Sequence, residues 1–183
     1  MPRYIVFLRG INLAGKRRVP MAELRAVLAD ASYEDVATLL QSGNVVLTSG
    51  VDPKALEHEV ASKLQDAFGF RIGVVVRTRD ELADVIAHNP LGAEADDPAR
   101  YQVSFLSSEP DPRGLKQLQT AQVAPEQVAV RGREVYAWHP GGVGRSELAK
   151  QITAKRLGVD EVTARNWRTI TKLLELADSA PEG

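Results

Sequence analysis

The sequence predicts an α+β protein of two ferredoxin-like (βαββαβ-type) subdomains with antiparallel sheets, the second ending in a helix instead of a strand. Three observations predict it. Residues 1–77 spell strand, helix, strand, strand, helix, strand. That order partly repeats after a polar linker at 89–100, and the C-terminal stretch carries a helical apolar stripe where a closing strand would fall.

The elements follow from local chemistry. "RYIVFLR" (3–9) is rich in β-branched and aromatic residues and reads as a strand. In "PMAELRAVLADA", Met21, Leu24, Val27 and Leu28 recur at helical spacing, and Pro20 suits a helix start. Strands at Val36–Gln41 and Asn44–Thr48 are joined at Ser42-Gly43, where glycine tolerates the positive φ of a tight hairpin. Asp52 and Pro53 open a helix with Leu56, Val60, Leu64, Ala67 and Phe68 on one stripe, and "RIGVVVRT" returns as a strand.

Thr78 and Glu81 form a capping box for a helix that stops near Pro90. Beyond the linker come a strand at Tyr101–Ser107, a helix near Pro112–Thr120 and a hairpin of Gln127–Val130 and Glu134–Trp138. A helix near Glu147–Leu157 follows, and then a last helix, "ARNWRTITKLLELA", with Trp167, Ile170, Leu174 and Ala177 on one side. The expected division is 1–88, a ferredoxin-like subdomain plus a linking helix, and 101–183, a second βαββα-type subdomain with a C-terminal helix.

Composition narrows the chemistry. The 183 residues are 44% hydrophobic and 26% charged, ordinary for a globular chain. There is no cysteine, which removes disulfides, thiolate nucleophiles and cysteine-ligated metals. The N-terminal apolar run between Arg3 and Arg9 is too short for a signal-peptide core and no stretch approaches a membrane span, so a cytoplasmic location is expected. Net charge is −1, but unevenly laid out: Arg3, Arg9, Lys16, Arg17 and Arg18 precede the first acid, Glu23, and residues 139–172 are again mostly basic. Such asymmetry can steer an anionic partner, although solvated faces produce the same pattern.

"GINLAGKRRVP" (10–20) carries the spacing G-x-x-x-x-G-K of a nucleotide-binding P-loop. A working P-loop is not expected. Arg17 stands where the magnesium-binding hydroxyl belongs, Pro20 delays the helix, and the surrounding hairpin order does not suit a parallel sheet. What survives is a glycine-containing loop with consecutive backbone N–H groups and three cations, able to hold an anion without a metal. The plainer alternative is a loop that keeps the sheet edge soluble.

"WHPGGVGRSELAK" places Gly141, Gly142 and Gly144 before a helix whose N-cap is Ser146, with Arg145 beside it. In "TARNWRT", Thr163 as cap would put Arg165 and Asn166 in the first turn of the last helix, with Trp167 packing into the core. Of the three histidines only His139 adjoins a candidate loop, which makes it the one proton carrier the sequence suggests. "QSGN" adds Gln41, Ser42 and Asn44 at a hairpin tip, a position where such residues ordinarily serve the turn.

Taken together, "FLRGIN" (Phe7–Asn12), "QSGNV" (Gln41–Val45), "GRS" (Gly144–Ser146) and "RNW-x-T" (Arg165–Thr169) resemble a bacterial domain of unknown function, family 1697. The pattern often has Gly at Ala14, Lys at Glu147 and Asn at Arg168, so this chain departs from it there. The resemblance implies an α+β fold with ferredoxin-like parts and implies no activity.

The functional expectation is a basic cleft, formed by loop 10–18 and the starts of the last two helices, for a phosphate-bearing ligand: a nucleotide or a nucleic-acid segment. Arg9, Lys16, Arg17, Arg145 and Arg165 would supply charge, and Asn12, Gln41, Ser42, Asn44, Ser146 and Asn166 orienting hydrogen bonds. No metal, cofactor or membrane partner is expected, and oligomeric state is not encoded in any motif. Two rivals remain: an enzyme acting on a small phosphorylated or carboxylated metabolite through His139 or Lys16, and a protein-interaction module using an uncovered sheet face.

Overall fold

The computed structural model describes residues 1–122 and 124–179. The described residues form two compact units, 1–84 together with 172–179, and Val85–Thr171. The boundary therefore differs from the expected 88/101 division, and the last helix is shared rather than belonging wholly to the second unit.

In unit 1, β1 (Arg3–Arg9), α1 (Met21–Asp30), β2 (Glu34–Leu39), β3 (Asn44–Thr48), α2 (Pro53–Phe68) and β4 (Gly73–Thr78) form a sheet in the order β2-β3-β1-β4. Each neighbouring pair is antiparallel. Alternate residues of the strands point to the helices, so Tyr4, Val6, Leu8, Val45, Leu47, Val74 and Val76 pack with Leu24 and Leu28 of α1 and Leu56, Val60 and Leu64 of α2. The other set, including Ile5, Phe7, Val46 and Val75, is buried as well. Continuous apolar runs in the two central strands reflect this two-sided burial.

Asp52 caps α2 by accepting from Lys54 N at 3.0 Å. Glu57, buried on α2, accepts from Val76 N at 3.0 Å and from Lys54 Nζ at 2.8 Å, so its carboxylate satisfies a backbone donor of the edge strand β4. The Thr78–Glu81 box is formed reciprocally, with Glu81 N donating to Thr78 Oγ1 at 3.1 Å and Thr78 N to Glu81 Oε2 at 2.8 Å. It starts α3 (Arg79–His88).

In unit 2, β5 (Tyr101–Leu106), α4 (Pro112–Thr120), β6 (Gln127–Arg131), β7 (Glu134–Trp138), α5 (Glu147–Gln151), α6 (Ala154–Leu157) and β8 (Val162–Asn166) give a sheet ordered β6-β7-β5-β8, again antiparallel throughout. Two local expectations are corrected. The helix expected at 147–157 is two short pieces, because Thr153 starts a new helix by accepting from Arg156 N. A closing strand, β8, is present: Val162, Thr163 and Arg165 are buried and Ala164 exposed as it pairs with β5, and α7 (Trp167–Asp178) begins only after it. Among the described residues no helix is long and apolar enough to cross a membrane.

Candidate functional site

The loop after β1 is a miniature hairpin rather than an open nest of N–H groups. Asn12 N donates to Arg17 O at 2.9 Å, Leu13 N to Lys16 O at 3.1 Å and Lys16 N to Leu13 O at 2.8 Å. Ala14 and Gly15, between them, have φ of 45° and 79°, the sign that a two-residue type I′ turn requires. Three of the backbone donors that the P-loop-like spacing suggested for an anion, those of Asn12, Leu13 and Lys16, are thus spent on the turn itself.

Asn12 holds this hairpin in place. Its Oδ1 accepts from Val19 N at 2.8 Å, while its Nδ2 donates to Val19 O at 2.9 Å and to Gln41 O at 2.7 Å. Its role is therefore to position the loop. Arg17, although exposed, folds back onto main-chain carbonyls. Its guanidinium donates to the carbonyls of Gly10 and Arg71 and lies 4.5 Å from the centre of the Phe70 ring.

The neighbours of Arg17 remain outward. Lys16 and Arg18 line a cleft of about 590 Å³ together with Asn12, Gln41, Met21 and Ala22. Both cations are exposed, and neither forms an ion pair among the described residues. The same cleft meets the start of α1, where Pro20 occupies the cap position and no side chain caps the free N–H groups. Glu23, in the first turn, is the one acid at this end of the helix. Arg18 escaped the sequence reading because a run of three cations does not reveal which one the hairpin will turn back.

The "QSGN" segment closes the β2–β3 turn. Asn44 is fully buried and donates through Nδ2 to Leu39 O at 2.8 Å and to Ser42 Oγ at 3.1 Å. Gly43, at φ 90°, sits where a Cβ would fall 2.7 Å from Leu8 Cβ. Ser42 and Asn44 therefore shape the tip, whereas Gln41 reaches the cleft. Arg9 is exposed at the end of β1 and does not line it.

Of the residues expected in unit 2, Ser146, Arg165 and Asn166 have structural duties there. Ser146 is buried and caps α5, its Oγ accepting from Ala149 N at 2.9 Å and lying 2.8 Å from His139 Nδ1. Glu126 Oε1 is 3.5 Å from that same nitrogen. A serine, a histidine and a glutamate are thus together, but not as a triad: both partners share Nδ1, and Nε2 is buried without a hydrogen bond. Burial holds the His139 imidazole below its ordinary pKa, against the opposing pull of Glu126. The ring is fully buried and braces the α5 cap, Ser146, from within.

Arg165 is not at a helix start. It is buried on β8, donating to Thr163 Oγ1 at 2.7 Å and Ala164 O at 2.9 Å, and desolvation pushes its pKa down to about 10. Thr163 is a strand residue, and the helix cap is Asn166, whose Oδ1 accepts from Thr169 N at 2.9 Å. Trp167 stacks on Tyr101 with ring centres 4.7 Å apart and planes within 10°. Arg145 is exposed in a single 3₁₀ turn, Val143–Arg145.

Two antiparallel ferredoxin-like units define an α+β protein. The chain belongs to the family described as "Protein of unknown function (DUF1697)", whose model matches residues 1–136. That stretch contains Phe7–Asn12 and Gln41–Val45, the two motifs that interlock through Asn12 and Gln41. No curated protein matches the sequence. Among solved structures it is similar to a conserved bacterial protein from Streptococcus pneumoniae, at a TM-score of 0.78 and 21% identity, covering 97% of this chain and 99% of that one. The likeness is one of fold.

Proposed function

We propose that the protein binds a phosphate-bearing ligand, a nucleotide or a segment of nucleic acid, in the cleft at the start of α1. The observation that carries this reading is the placement of two unpaired cations, Lys16 and Arg18, against a helix start that no side chain caps. An anion there gains from both charges and from the positive end of the helix, without any metal. The hairpin is held by Asn12 and Arg17, so the two cations are presented by a fixed backbone and little ordering is left for the ligand to impose. Gln41, joined to the same loop through its carbonyl, also lines the cleft and adds a neutral amide.

The test is a calorimetric titration of mononucleotides and short oligonucleotides at two salt concentrations, using the native chain and Lys16→Glu/Arg18→Glu. Each charge-assisted hydrogen bond to phosphate is worth roughly 1.5–3 kcal/mol, so the double reversal should weaken binding by more than about a hundredfold. A steep salt slope for the oligonucleotide would identify the polymer as the ligand. Equal affinity in the native and reversed chains would end the proposal.

A further inference from the structure

A second cleft, of about 510 Å³, lies within unit 2 between the start of α4 and the α6 turn. Arg113 and Gln117 reach it from α4, and Thr153, Lys155 and Arg156 from α6 and its cap. None of the three cations forms an ion pair among the described residues. Asp111 also lines the cleft, its carboxylate accepting from Arg113 N at 2.7 Å as the cap of α4. The helix terminus is therefore already answered, and the cleft sets three side-chain cations against one carboxylate.

That charge is held together by backbone contacts. A Cβ on Gly114 would collide with the Arg156 carbonyl oxygen, so α4 and α6 touch through their main chains. Asp111 N donates to Leu157 O at 2.7 Å, and Gly158, at φ 66°, leaves room where a Cβ would lie 2.9 Å from Asp111 Cβ. These contacts fix the backbones that carry Arg113, Lys155 and Arg156, so the three side chains line one cleft. A doubly charged anion there would draw on all three cations. The position also has a counterpart: α4 follows the first strand of its unit as α1 follows β1, and the strand orders β6-β7-β5-β8 and β2-β3-β1-β4 correspond. Each unit thus has a cationic cleft at the start of its first helix.

We propose that Arg113, Lys155 and Arg156, with the Thr153 hydroxyl and the Gln117 amide, form a second phosphate-binding site, independent of the cleft at α1. The recognised chemistry is a phosphate monoester or pyrophosphate group, carried by a free mononucleotide or by a nucleic-acid end or backbone.

The experiment is amide-resolved NMR on the full ¹⁵N-labelled chain, titrated with inorganic pyrophosphate and, separately, with a short oligonucleotide at low and high salt. Saturable shifts are expected at amides 111, 113–117 and 153–158. They should weaken about tenfold or more in Arg113→Glu/Arg156→Glu, while amides 16–22 respond as before. The milder Arg113→Gln/Arg156→Gln, which leaves no repulsion to disturb the fold, should show the same loss at the same amides. Tighter, salt-steep oligonucleotide binding would assign a polymer source, and comparable, salt-shallow pyrophosphate binding a small molecule. Absence of saturable shifts at these amides in the native chain, or shifts unchanged in the Gln variant, would overturn the site. Loss of the α1 response in Lys16→Glu/Arg18→Glu bears on the other cleft alone.

Discussion

The Nδ2 of Asn12 lies 2.7 Å from the carbonyl oxygen of Gln41, and this bond joins the loop after β1 to the β2–β3 turn. Asn12 makes two more bonds to Val19 and adopts φ 53°, a conformation asparagine tolerates better than most residues. Asn12→Ala should therefore lose about 2–3 kcal/mol of stability by urea denaturation, from unsatisfied backbone groups and the left-handed backbone together. Ligand affinity should fall with it, because the wall carrying Lys16 would no longer be fixed.

Lys16 and Arg17 should separate cleanly. Lys16→Ala removes an exposed, unpaired cation and is expected to change stability by less than about 0.5 kcal/mol while weakening phosphate binding. Arg17→Ala removes the bridge to Gly10 and Arg71 and the Phe70 contact, and should cost about 1 kcal/mol. Parallel denaturation and binding measurements on the two variants check the assignment, and equal stability losses would contradict it.

His139 predicts a pH dependence. Its pKa in the folded chain lies below the unfolded value, so as pH falls the unfolded chain takes up the proton first. Its contribution to stability is complete above about pH 6.5 and declines below it, until the folded-state pKa is reached. Glu126, at 3.5 Å, moderates the loss. Denaturation on either side of that pH should show a steeper decline in the native chain than in His139→Gln.

Gly114 offers a sharp packing test. Alanine is the better helix former by about 1 kcal/mol in an open helix interior, yet here a methyl would strike the Arg156 carbonyl. Gly114→Ala should therefore destabilise by about 1–3 kcal/mol, read as a lower urea midpoint.

What the sequence showed most clearly was whatever is local. Asp52-Pro53, Asp111-Pro112 and the Thr78–Glu81 box each carry their own capping chemistry, and each starts its helix where expected. The strand β8 was hidden because its five residues run straight into α7 with no turn between, so Thr163 resembled a cap that Asn166 in fact supplies. The candidate site was legible in composition and not in direction. Which of Lys16, Arg17 and Arg18 is left without a protein partner depends on the two-residue turn at Ala14-Gly15 and on carbonyls of Gly10 and Arg71, the latter far away in the chain. Arg165 was misjudged for the same reason: burial by strand pairing is a long-range outcome.

The placement of β5 has a practical corollary for fragment work. It is flanked by β7 on one side and β8 on the other, and the stretch shared with the family model stops at residue 136, inside β7. A recombinant piece trimmed to that stretch would carry three of the five residues of one flanking partner and none of the other, exposing open ladder positions that recruit foreign strands. Expression limits for this protein should therefore be drawn beyond Asn166, whatever the extent of recognisable kinship.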